Sequence, residues 1–276
     1  MLPYLPNMEP PRAVERWAVI LGASSGFGAA TACELAKHGF HIAGVHLDRR
    51  ATLPQVEQVI QRIQQTGRKA QFFNVNAADP QKRAEVLDQL EPIMKGSSPP
   101  GQVLIFLHSL AFGTLKPYIS VDGKETITHE QLEMTLDVMA NSLVYWVQDL
   151  FRRKLIGDGS RIFAMTSSGG SRVWHTYGAV SAAKAALESH IRQLAMELAP
   201  YGVTANSIRA GVTDTPALRK IPGHEQMMEF STIRNPNRRL TTPEDVARAI
   251  ACLSAAETQW VTGNVIGADG GEDIIG

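Results

Sequence analysis

Three side chains of this sequence are suited to moving a proton together: Ser167, Tyr177 and Lys184. The first two lie in Ser167-Ser168-Gly169-Gly170-Ser171-Arg172-Val173-Trp174-His175-Thr176-Tyr177, and Lys184 follows seven residues later. A phenol can hydrogen-bond an oxygen that gains negative charge. A nearby ammonium lowers the phenol pKa toward the working pH, and a serine hydroxyl can orient the substrate oxygen. His108 and His175 are read as polar wall residues rather than proton donors.

The elements that must hold these groups are legible on either side. Residues 160–166 form an apolar run that reads as a buried strand. The segment after Tyr177, rich in Ala and Leu, reads as a long helix to Ala199. The hydroxyl therefore sits at a strand tip, and the phenol and ammonium at a helix start. Further strands are expected at 17–21, 41–45, 69–74, 103–107, 203–208 and 264–268. Helices are expected at 29–38, 53–66, 81–95, about 129–154 and 243–255, the last with Thr242 as N-cap. Short apolar runs alternating with helices mean an α/β fold: a Rossmann-like, doubly wound parallel sheet of about seven strands, helices on both faces, in one domain. Gly22, His108, Ser167 and Ala210 then fall beyond strand ends on one edge, where such sheets bind ligands.

Length and composition agree with this. The chain has 276 residues, 44% of them hydrophobic, enough for a sizeable core. Its 27 basic and 27 acidic residues leave no charge footprint for nucleic acid or a membrane surface. Residues 1–16, with Pro3, Pro6, Pro10 and Pro11, read as an N-terminal extension to a catalytic domain at 17–276. They do not read as a signal peptide, and no apolar stretch reaches spanning length. Cys33 and Cys252 are expected as buried free thiols in helices, which suits a reducing cytoplasm. No metal site is expected.

Gly22-Ala23-Ser24-Ser25-Gly26-Phe27-Gly28 ends a strand and opens a helix. Its glycines let the backbone approach a pyrophosphate, and the helix N-terminus stabilises the charge. Ser24 and Ser25 can add hydroxyl contacts. At the tip of the second strand, Asp48 lies 20 residues past Gly28, where an acid can bind ribose hydroxyls. Arg49 and Arg50 adjoin it and can hold a 2′-phosphate instead. NADPH is the expected cofactor because two arginines adjoin one acid; NADH, with Asp48 as ribose ligand, is the alternative.

These residues resemble the short-chain dehydrogenase/reductase superfamily from about Trp17 to the C-terminus. The resemblance rests on the glycine loop, on Ser167, Tyr177 and Lys184, and on Asp269-Gly270-Gly271. It implies that Asn76 and Ala77 border the adenine and that Ser109, Gly211, Val212, Thr213 and Thr215 border the nicotinamide and phosphates. It also implies that Lys184 holds the ribose hydroxyls. Most members have Tyr four residues before Lys, where this chain has Val180. Tyr-x6-Lys resembles the enoyl-acyl-carrier-protein reductase branch. So does Leu107-His108-Ser109-Leu110-Ala111-Phe112, and Met139 stands where a catalytic Asn is usual. Ala210-Gly211 replaces the usual Pro-Gly, and Ser167 stands where many enoyl reductases have a second Tyr.

The shift has a physical reading. Moving the acid from four to seven residues before Lys184 carries it about 4.5 Å along the helix axis. In a ketone the acid must lie beside the carbon that takes hydride. In an enoyl thioester the charge appears on the thioester oxygen, several ångströms further on. The resemblance thus implies NAD(P)H-dependent reduction of the 2,3 double bond of an enoyl thioester, in fatty-acid or related acyl biosynthesis. The thioester is carried by CoA or acyl carrier protein. It also implies a homotetramer, paired through the helices around Asn141 and Ser189. A carbonyl reductase of the same superfamily and a non-catalytic dinucleotide-sensing module are the alternatives. Leu218, Ile221, Met227, Met228 and Phe230, in the irregular and partly helical segment 213–239, read either as an apolar lid over an acyl chain or as ordinary core.

Overall fold

A computed structural model describes residues 14–121 and 125–275. Seven parallel strands form one sheet in the order β3-β2-β1-β4-β5-β6-β7. They are β1 (Glu15–Leu21), β2 (His41–His46), β3 (Ala70–Asn74), β4 (Gly101–His108), β5 (Arg161–Thr166), β6 (Thr204–Ala210) and β7 (Val265–Ala268). Eight helices accompany them among the described residues: α1 (Gly26–Lys37), α2 (Leu53–Gln64), α3 (Pro80–Lys95), α4 (His129–Leu136), α5 (Ser142–Arg152), α6 (Gly178–Leu198), α7 (His224–Arg234) and α8 (Pro243–Leu253).

The sheet is buried on both faces, so its central strands are apolar throughout rather than alternating. Trp17, Val19 and Leu21 of β1 pack toward Leu87 and Leu90 of α3, Trp146 of α5 and Leu187 of α6. Ala18 and Ile20 face the opposite layer, with Leu35 of α1, Ile63 of α2 and Val246 and Ile250 of α8. Chain order reverses between β1 and β4, and the crevice that carries the site opens at their carboxyl ends.

Several expectations are corrected. The helix expected at about 129–154 is two helices, joined by a π turn at Asp137–Asn141. The Ser142 hydroxyl donates to the Val138 carbonyl within that turn, at 2.9 Å, helping to satisfy a backbone group that the wider turn releases. The segment 213–239 is partly helical as expected, its helix being α7. Residues 1–13 of the N-terminal extension lie outside the described residues, while Glu15 and Arg16 belong to β1. Cys33 is buried, but Cys252 is exposed. The amphipathic α8 turns Val246, Ala247 and Ile250 inward and Cys252 falls on its outer side. Among the described residues no helix is long and apolar enough to cross a membrane, and no cluster of His, Cys, Asp or Glu is arranged to hold a metal.

Candidate active site

The glycine loop is shaped by close backbone approach. A Cβ on Gly28 would stand 2.1 Å from the Gly22 carbonyl oxygen, and one on Gly22 would stand 2.3 Å from that of Ser109. Gly22 and Gly26 also hold φ of 83° and 53°, a region that side chains disfavour. Ser25 precedes α1 without capping it through its side chain, and no acid occupies the first turn. The first amides of α1 therefore keep their donors and dipole for an anion. Thr215 lies against Gly26. This cradle fits a dinucleotide pyrophosphate.

At the adenosine end, Asn74 clamps the peptide at Asp48: its side chain accepts from Asp48 N at 2.9 Å and donates to Asp48 O at 3.0 Å. Burial opposes ionisation of Asp48, but hydrogen bonds from Ser24, Thr52 and His46 prevail and hold its carboxyl below the ordinary range. Arg49 and Arg50 are exposed, with no ion pair among the described residues. Asn76 is exposed and its Oδ1 accepts from Ala78 N. Ala77 is buried, and its carbonyl accepts from Trp146 Nε1 at 2.8 Å.

At the chemical end, Ser167, Tyr177 and Lys184 all line one cavity of about 530 Å³. Phe27, Ser109, Gly211, Val212, Thr213 and Thr215 border it too, which joins the glycine loop to the catalytic set. Lys184 is buried and donates from Nζ to the Met165 carbonyl at 2.6 Å. Burial lowers its pKa to about 8, partly offset by Glu188. Glu188 is in turn fixed by Thr166, whose hydroxyl donates to it at 2.6 Å.

Tyr177 is the cap residue before α6 rather than part of it. The phenol leaves from the loop that enters the helix, so its displacement from position 180 is not a simple rise along the helix axis. Burial raises its pKa, and the nearby Ser167 hydroxyl pulls it partly back. The Ser167 Oγ is itself buried without a full hydrogen bond among the described residues. Gly169 makes this packing possible, because a Cβ there would meet Tyr177 Cε1 at 2.6 Å and Ser167 Oγ at 3.1 Å. Thr176, just before the phenol, has φ of 64°. A β-branched residue in that region stores roughly 1–3 kcal/mol of strain, which the surrounding packing must hold.

Val180 and Met139 also border the cavity, and both are nearly fully buried. Their side chains converge beside Gly113: each would lie 3.0 Å from a Cβ built there. The position of the usual ketone-reducing acid is thus an apolar part of the cavity wall. His108 is fully buried, with Nε2 2.9 Å from Ser142 Oγ. The Ser142 hydroxyl proton is engaged by Val138, so His108 must donate from Nε2. Burial, then the charge of Lys184, drops its pKa to about 3, so it stays neutral. His175 is exposed and outside the cavity wall.

Of the expected lid, Leu218, Ile221 and Met227 line the cavity, whereas Met228 does not and Phe230 is 63% exposed. Trp174 ties the lid to the catalytic loop by donating from Nε1 to the Pro222 carbonyl at 3.1 Å. Arg172, Arg234 and Asp273 are wall residues that the sequence reading passed over. Arg172 and Trp174 stood within the stretch that holds Ser167 and Tyr177. Arg234 gave no signal, since a basic residue at a helix end reads as solvated surface.

Residues 22–272 match the family described as enoyl-(acyl carrier protein) reductase. The chain belongs to the enoyl-reductase branch of the short-chain dehydrogenase/reductase superfamily. A 1-cyclohexenylcarbonyl-CoA reductase from Streptomyces collinus is 28% identical over 260 residues, covering 94% of this chain and 87% of that one. The solved enoyl-[acyl-carrier-protein] reductase (NADH) of Aquifex aeolicus VF5 superposes with a TM-score of 0.78, at 23% identity, over 95% of this chain and 97% of that one. The reductase LugOII, described as catalysing keto-reduction at C1 in lugdunomycin biosynthesis, superposes with a TM-score of 0.79. It is 28% identical, over 96% of this chain and 100% of that one. The protein is an oxidoreductase of this superfamily that uses a nicotinamide dinucleotide.

Proposed function

We propose that this enzyme reduces the 2,3 double bond of an enoyl thioester carried by CoA or acyl carrier protein. One observation carries the reading: the cavity's phenol is Tyr177, while Val180 is packed against Met139 and Gly113. The Gly22–Gly28 loop, Thr215 and Lys184 would hold the dinucleotide, which when bound supplies a hydride to the β-carbon. NADPH is the proposed form, with Arg49 and Arg50 at its 2′-phosphate. The chain's own groups stabilise the charge that results, and a proton taken at the α-carbon from solvent completes the reduction. Tyr177, kept protonated by its burial, hydrogen-bonds the thioester oxygen as it takes on enolate charge. Lys184 adds positive potential, and the Ser167 hydroxyl beside the phenol orients the same oxygen. The apolar lid of Leu218, Ile221 and Met227 covers the acyl chain and excludes water. Assembly as a homotetramer in the cytoplasm belongs to the same proposal.

The test follows nicotinamide absorbance with a crotonyl thioester and with a β-ketoacyl thioester. Turnover of the first and neglect of the second is expected. The likeness to LugOII favours a second reading, carbonyl reduction with Tyr177 as acid. Efficient ketone turnover with no enoyl turnover would establish it in place of the first.

A further inference from the structure

Arg234 closes α7 and lines the cavity. Its Nε and Nη2 are shielded from solvent and meet no acceptor among the described residues. Leaving donors of a charged group desolvated and unpaired is costly, so a native site that keeps them ready points to a ligand that completes them.

The neighbouring acids are already committed. Asp273 receives Arg172 Nη2 at 3.1 Å on one carboxylate oxygen and Arg209 Nη1 at 2.9 Å on the other. Glu272 accepts from Val212 N and from the Ser231 hydroxyl, both at 3.1 Å. Its burial and the nearby Asp269 push its carboxyl up while Arg234 draws it down, but it makes no hydrogen bond to Arg234 Nε or Nη2. Arg172, Lys220 and Arg234 line the cavity with a single acid, Asp273, while Glu272 and Asp269 lie behind the lining. A planar fork with two free donors matches an acceptor with two coplanar oxygens.

We infer that Arg234 is a specificity-determining residue that receives a carboxylate on the acyl part of the substrate. The favoured substrate class is then an enoyl thioester whose chain bears an acid group. The inference rests on the proposed enoyl-thioester reading. It also separates this chain from one that prefers a purely apolar acyl group.

The test uses saturated thioesters, which bind without being reduced, so its outcome is independent of whether enoyl reduction is observed. The NADPH-loaded enzyme is titrated calorimetrically with the N-acetylcysteamine thioesters of butyrate and glutarate. The glutaryl thioester is expected to bind at least tenfold more tightly. Arg234→Gln should bring the ratio near one, and Arg234→Lys should restore part of it. A ratio at or below one in the parent overturns the assignment without recourse to any variant. So does a ratio that survives in Arg234→Gln. If Arg234→Gln instead weakens NADPH itself tenfold while the thioester ratio holds, the anion is a cofactor phosphate and the substrate role is refuted.

Discussion

Lys184 Nζ donates to the carbonyl of Met165, 2.6 Å away, at the end of the strand that leads into Ser167. The bond fixes the ammonium beneath the site, but burial lowers its pKa to about 8. The catalytic charge should therefore be lost as pH rises through about 8, and kcat/KM of the parent should fall with one proton released. Lys184→Arg should move that limb to higher pH, because a guanidinium keeps its proton. Stability should respond with the opposite sign. Below pH 8 the folded and unfolded states both carry the charge. Between pH 8 and the ordinary lysine range the unfolded state binds more protons, so stability rises with pH. The difference in unfolding free energy between parent and Lys184→Met, measured by denaturant titration across this window, should show that rise. A flat pH-rate profile from 7 to 9.5 would remove the assigned role.

Tyr177→Phe keeps the ring that packs on Gly169 and removes the donor. Turnover should drop roughly 10²–10³-fold, as for loss of one oxyanion donor. Dinucleotide affinity, read by fluorescence titration, should stay within a factor of two to three of the parent, roughly the context error of such measurements. A variant reducing enoyl thioesters at nearly the parent rate would show that another group supplies the hydrogen bond.

The paired change Val180→Tyr with Tyr177→Phe moves the phenol to the place that ketone reducers use. The new ring must displace Met139 and the Gly113 backbone, so a loss of about 1–3 kcal/mol in stability is expected from overpacking. Enoyl reduction should fall in the pair, measured at a temperature well below its Tm. The parent decides the matter: efficient β-ketoacyl reduction with Val180 in place would show that the spacing does not encode the reaction.

Gly28→Ala drives a methyl group into the Gly22 carbonyl, 2.1 Å from the ideal Cβ position. The loop must open to accept it. Dinucleotide binding should be lost or weakened by more than tenfold, and the melting temperature should fall. Unchanged affinity would mean that the pyrophosphate does not rest on this turn.

Arg49→Ala with Arg50→Ala should weaken NADPH far more than NADH, because both side chains are exposed beside Asp48, with no ion pair among the described residues. Equal weakening of the two cofactors would exclude a phosphate role. A parent that strongly prefers NADH would make the ionised Asp48 the ribose ligand.

Much of this was written in local sequence. Period and punctuation fixed the seven strands, since apolar runs bounded by turns can be buried on both faces in few other ways. The glycine loop was legible because its constraint is steric and local: Gly28 meets Gly22 six residues away. Tyr177 and Lys184 were legible because one helix start carries both. Three features required the tertiary structure. The π turn at Asp137–Asn141 interrupts a continuous helical pattern, and its stabilising bond to Ser142 adds no sequence period. The exposure of Cys252 follows from the face that α8 turns to the sheet, which composition does not specify. The wall formed by Arg172, Arg209, Arg234, Glu272 and Asp273 gathers residues up to a hundred positions apart. Each alone reads as an ordinary surface charge. Folding β5, β6, α7 and the C-terminal turn to one edge brings them together, and although Arg172 stays exposed, Nε and Nη2 of Arg234 are shielded there without an acceptor among the described residues.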